Sequence, residues 1–164
     1  TIASCTAFSA SARELERLQD PLAEEFVLLE SSCWSEAGSL AKARFAVARV
    51  ESKLETSAVP ERRVQLALAR AAIAVAEGDW QRAQEQVSQA DAECRAGAFG
   101  ELRFEVRLLA VRLALARGDH PERVRVLAEE LIRDANAKRF GRIAQEAETL
   151  LHAPRLRGAT QSHG

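Results

Sequence analysis

Apolar residues recur at intervals of three and four along most of this chain, and glycine interrupts the pattern at regular points. That spacing lays apolar side chains along one face of an α-helix. From Pro60 to Glu77 the chain reads PERRVQLALARAAIAVAE, strong helix formers with proline in the first turn, where no N–H is needed. Gly78 is placed to end this helix in the left-handed conformation. Asp79 can cap a second helix, whose apolar or small positions are Trp80, Ala83, Val87, Ala90 and Cys94. This second helix is predicted to stop near Gly97, with Gly100 punctuating the connection.

The pattern returns at an interval of 40 residues, as Gly38, Gly78 and Gly118. A fixed period of this length with helical pattern on both sides marks stacked helix–turn–helix units. In the first unit, Asp20-Pro21 starts a helix carrying Phe26, Leu28, Leu29, Cys33 and Trp34. After Gly38, LAKARFAVARVESKLE sets Leu40, Ala43, Val47 and Val50 in the places of Trp80, Ala83, Val87 and Ala90. In the third unit a helix over 101–117 is followed by Gly118 and Asp119, and Asp119 with Glu122 resembles a capping box. There the interval becomes 41, so that Val124, Ala128, Leu131 and Phe140 answer to Ala83, Val87, Ala90 and Phe99. The His120-Pro121 turn accounts for the extra residue, because proline resets the helix start. Residues 9–19 read as the second helix of an earlier unit and 140–152 as the first helix of a fourth. The expected fold is all-α, a solenoid of about eight helices in antiparallel pairs. Its units lie near 20–59, 60–99 and 100–139, with partial units at both ends of a 1–152 domain. Residues 153–164 have no apolar periodicity and are expected to form a disordered tail.

Composition narrows the picture. The chain is 47% hydrophobic but only 5% aromatic, so its apolar content is mainly Ala, Leu and Val, which lets helices approach closely. A net charge of −1 lacks the basic footprint of a nucleic-acid domain. No apolar run approaches the ~18 residues of a membrane span. The expectation is a cytoplasmic protein with no direct nucleic-acid or membrane partner. Cys5, Cys33 and Cys94 are odd in number and show no CxxC spacing, which reads as free thiols in a reducing compartment. Ile2-Ala3-Ser4-Cys5 has the look of a lipoprotein cleavage box but lacks the preceding apolar stretch. The chain contains no methionine, so a fragment or a processed chain is expected, with part of its function elsewhere.

The sequence offers little chemistry. His120, His152 and His163 show no ligand spacing, and no phosphate loop, nucleophile elbow or HExxH motif is present. Glu24-Glu25 and Glu129-Glu130 are adjacent on helices and point apart, as surface charge rather than an acid/base pair. No catalytic, cofactor-binding or metal-binding residues are assigned, and the chain is expected not to be an enzyme.

Gly78-Asp79-Trp80-x-x-Ala83-x-x-x-Val87-x-x-Ala90 resembles the second helix of a tetratricopeptide repeat, and Ala71 stands at the small position seven residues before the glycine. The other units carry Ser31 and Val111 there, and the period of 40 exceeds the 34 residues of that family. Longer units of this kind are similar to those in sensor regions of maltose-regulator-like bacterial activators. The resemblance, over roughly residues 20–152, implies a right-handed superhelix in which the first helix of each unit lines a concave groove.

On that arrangement, Leu28, Leu68 and Leu108 form one row beside Glu25, Gln65 and Glu105. A second row is Ser32, Ala72 and Arg112, with Ser35 and Glu36 nearby. The leucines also fit inter-helix core, and the glutamates a solvated face. Arg112 interrupts an apolar run and must snorkel, find a partner or face a groove. Trp80 fits packing in the turn between units. The candidate partner-binding residues are therefore Arg112, Glu25, Gln65, Glu105, Ser32, Ser35 and Glu36. The leading expectation is a non-catalytic protein–protein interaction module of a larger bacterial regulator or assembly factor, holding a protein or peptide segment in the groove. The alternative is a small-molecule-sensing or autoregulatory domain of a transcription activator. A homodimer partner or adjoining domain is expected to cover an exposed end of the stack.

Overall fold

Helix formers and punctuating turns alternate along the chain, and the structure, a computed structural model describing residues 2–97 and 99–152, follows that alternation. The tail read at 153–164 lies outside the described residues. The helices are α1 (Ile2–Arg17), α2 (Ala23–Glu36), α3 (Leu40–Glu55), α4 (Pro60–Glu77), α5 (Trp80–Ala96), α6 (Gly100–Arg117), α7 (Pro121–Ala137) and α8 (Gly141–His152). Among the described residues there is no strand, and the all-α expectation holds.

The three turns that end α2, α4 and α6 share one construction. Gly38, Gly78 and Gly118 have φ of 73°, 75° and 76°, a region that costs a residue with a Cβ. In each, the glycine N–H donates to the carbonyl three residues back, and the next N–H donates to the carbonyl five residues back. This pair of bonds is the Schellman motif, which satisfies carbonyls left over at the helix end. Asp79 then caps α5 by accepting from the Arg82 N–H at 3.1 Å.

Asp119 does not repeat that role. His120 stands at the cap position of α7, with no side-chain cap bond, because Pro121 moves the helix start one residue on. Asp119 instead accepts two bonds from Arg117, at 2.7 and 2.6 Å. Two other starts differ from the sequence reading. The α1 helix begins at Ile2 rather than near residue 9, since Cys5, Ser9 and Ala12 are buried on one face at helical spacing. The α2 helix begins at Ala23, because the Asp20 carboxylate accepts from the Leu22 N–H at 2.8 Å and turns the chain first.

Consecutive helices pack against each other in neighbouring pairs. In addition α2 packs on α4, α4 on α6 and α6 on α8, whereas among the described residues no two odd-numbered helices bring their backbones into close packing, and α1 and α3 meet through the side chains of Glu16 and Arg49. The even-numbered helices thus form the closely spaced inner row of the stack. They must be apolar on two sides. On α4, Leu66, Ala69 and Ile73 join the core with α1–α3, while Val64, Ala67, Ala71 and Ala74 join the core with α5 and α6. On α6, Leu109 and Leu113 face that central core, and Leu108, Val111 and Ala114 join α7 and α8. The positions seven residues before each turn glycine are all closed in, with Ser31, Ala71 and Val111 at most 1% exposed. Ser31 meets the need for a small group there while donating its hydroxyl to the Ala43 carbonyl of α3 at 3.1 Å. Trp80 packs, partly buried, against the central core beside the Gly78 turn.

Two readings are corrected at the first pair of helices. Cys5 and Cys33 are not free thiols; they form a disulfide between α1 and α2 with Cα atoms 5.3 Å apart. Only Cys94 is free, and it is buried. Both bonded cysteines lie 14 residues from Gln19, which turns the chain at φ 55°, so an antiparallel hairpin brings them level. Glu24 is not surface charge either: its side chain is 8% exposed, pairing with Lys53 and, at 3.1 Å, with Arg62. Helices α3 and α4 close over it, which the adjacent Glu25 escapes.

Candidate partner-binding groove

A groove of about 570 Å³ opens on the even-numbered row. Its floor is built by residues four apart along each helix, Leu28 and Ser32 on α2, Leu68 and Ala72 on α4, Leu108 and Arg112 on α6. All seven candidate residues from the sequence line it: Glu25, Ser32, Ser35 and Glu36 from α2, Gln65 from α4, and Glu105 and Arg112 from α6. The period explains the convergence, because positions 40 apart occupy the same place on successive inner helices. The leucine row does both jobs weighed for it. Leu28 and Leu108 are buried in the core, Leu68 is half-buried, and all three edge the groove. Leu29 is more open, at 43% exposed, and adds apolar surface to the α2 wall.

The charged walls differ from each other. On the α6 side, Arg112 donates to the Glu146 carboxylate of α8 at 2.7 Å. Arg142, also on α8, donates to the other Glu146 oxygen at 2.7 Å, to Glu101 at 3.3 Å and to Glu105. The Glu105 carboxylate holds the Arg142 guanidinium well above its ordinary range, against the opposing effect of burial. Two guanidinium groups and three carboxylates are therefore tied together along that wall, with one negative charge left over. The α2 wall has no such partners: neither Glu25 nor Glu36 makes an ion pair among the described residues. The Ser35 oxygen in the same wall is covered and has no hydrogen-bond partner.

Arg142 and Glu146 also line the groove and are the positions that the 40-residue ladder missed. The shift to 41 at the His120-Pro121 turn moves α8 by one residue, so Glu146 answers to Glu105 and Arg142 to Glu101. Carrying the 41-residue interval one helix further would have found both.

A smaller cavity of about 220 Å³ lies among α3, α4 and α5, but its Arg44 is paired with Glu77 and its Arg70 with Glu51 and Glu55. Burial pushes the Cys94 thiol up, aided by Asp91, which opposes thiolate formation. Among the described residues no cluster of His, Cys, Asp and Glu could hold a metal ion, and no helix is long and apolar enough to cross a membrane.

No model of a known protein family matches the chain, and no curated protein or solved structure matches it either.

Proposed function

We propose that this protein is a non-catalytic, tetratricopeptide-like interaction module that holds a segment of a partner protein in the groove of its inner helix row. The observation that carries the reading is convergence. Three successive helices present one row of apolar and one row of polar positions to a single elongated depression, the layout by which helical repeats grip an extended chain. The disulfide between Cys5 and Cys33 favours an assembly factor working in an oxidising compartment over a regulator in a reducing one.

The test is peptide selection from a random display library, followed by blocking the groove. Ala72 sits in the middle of the groove floor, half-buried. In an Ala72→Trp variant that retains the helical circular dichroism of the parent, selected peptides should lose at least about tenfold in affinity, roughly the effect of removing one good contact. Phe45, 69% exposed on α3 and not part of the groove, provides the comparison, and Phe45→Ala should leave binding unchanged. Peptides that bind Ala72→Trp as tightly as the parent would overturn the reading.

A small-molecule-sensing role is the second reading, and the groove's volume of about 570 Å³ favours it, lying within the usual range for ligand sites. A metabolite that raises the melting temperature of the parent but not of Ala72→Trp would establish it.

A further inference from the structure

The two walls of the groove carry the same kinds of charge but in different states, and that difference specifies an occupant. The lining contains four carboxylates, Glu25, Glu36, Glu105 and Glu146, and two guanidinium groups, Arg112 and Arg142. The groove is therefore acidic by two charges (four minus two). Because Glu105 and Glu146 are held by the two arginines, the lining carboxylates without an ion pair are those on α2, Glu25 and Glu36. These are 11 residues apart, which is three helical turns, so they share a face at a separation of about 16 Å. Leu28 and Leu29 lie between them on that face, together with Ser32.

Resting on the reading of the groove as a peptide-binding site, we propose that its occupant is a cationic, apolar segment bound in extended form along α2. Two Lys or Arg side chains of the segment meet Glu25 and Glu36, and the apolar residues between them cover Leu28 and Leu29. At about 3.3 Å per residue, 16 Å corresponds to cations four to six positions apart. A helical occupant would need them about 11 apart, since its rise is about 1.5 Å per residue. An acidic segment is disfavoured twice over. It meets unneutralised carboxylates on α2, and it must break the pairs of Arg112 and Arg142 before using either arginine.

The probe is a fluorescein-labelled peptide of roughly nine residues, with two lysines five positions apart and valine and leucine between them to favour an extended chain. Its anisotropy is measured with the full protein in its disulfide form, beside a control peptide with glutamate in place of both lysines. The lysine peptide should bind, and the glutamate peptide should not. Raising the salt should weaken binding by screening the two pairs. The double variant Glu25→Gln, Glu36→Gln should bind the lysine peptide about 5–30-fold more weakly, as expected for loss of two partly exposed ion pairs. Glu129→Gln, on the outer face of α7, should match the parent. The proposal is overturned if the glutamate peptide binds as well, if the double variant binds as tightly as the parent, or if neither peptide binds. It is also overturned if sedimentation shows a dimer that the double variant dissolves, since the occupant would then be a second copy. None of these outcomes decides whether a groove for segments exists, which rests separately on Ala72→Trp against selected peptides.

Discussion

A single arginine joins the first three helices. Arg49, on α3, donates to Glu30 on α2 at 2.7 Å and also pairs with Glu16 on α1. Glu30 in turn accepts from the Ser9 hydroxyl at 2.6 Å, and the same hydroxyl accepts from the Trp34 indole N–H at 3.2 Å. Glu30 is 6% exposed, so its charge is tolerable only while those donors remain. Arg49→Met should therefore destabilise the fold by about 3 kcal/mol, within the range seen when one partner of a buried ion pair is removed. Adding Glu30→Gln, which removes the stranded charge, should restore much of that loss. Urea unfolding of the parent, single and double variants is the measurement. An Arg49→Met midpoint equal to the parent's would show that Glu30 is not held by this pair. None of this network could be read from residue spacing. Glu30 and Arg49 look like two more charges on amphipathic helices, and only the packing of three elements places them together.

At the scale of the element, legibility was uneven in an instructive way. The bounds of α3, α4 and α5 follow from strong punctuation: Pro60 opens α4, Gly78 closes it and Asp79 starts the next. Their signals are local, so sequence alone carries them. The start of α1 was obscured because its buried positions are Cys5, Ser9 and Ala12, small or polar residues that carry no apolar stripe. At α7 the local rule misled, since an aspartate after a turn glycine is a good cap only when the helix starts directly after it. The role of Gly78 can be tested directly. Gly78→Ala places a Cβ at φ 75° in ordinary contact with the Trp80 ring at 3.7 Å and without a clash. The cost is then conformational rather than steric, about 1 kcal/mol or a little more. A thermal melt showing no loss would mean that the turn relaxes out of the left-handed region.

For the whole molecule, three hydrophobic cores lie in series, and α4 and α6 each contribute to two of them. The groove residues were legible for the same reason that the stack is, because a fixed period repeats a surface as faithfully as it repeats a core. What the period could not supply was the charge state of each wall, which depends on how α8 docks. It also gave no hint of the covalent tie at the first pair. That tie spans 28 residues of chain, and the loop-entropy relation assigns it about 3–4 kcal/mol. Reducing Cys5–Cys33, or replacing Cys33 with serine, should lower stability by up to that amount. Amide exchange should then rise first in α1, whose close helix packing is with α2 alone. Equal exchange in reduced and oxidised protein would show that packing alone holds α1 in place.

The one-sided contacts of the helix rows have a mechanical consequence. Even-numbered helices pack along a continuous line, and odd-numbered helices pack closely only on their own neighbours in sequence. Such a body is an articulated strip, closely packed along its inner line and more sparsely joined on the outer. Tension applied between its ends would straighten the strip and flatten the groove, so a load on this protein would be felt directly by whatever chain lay along α2.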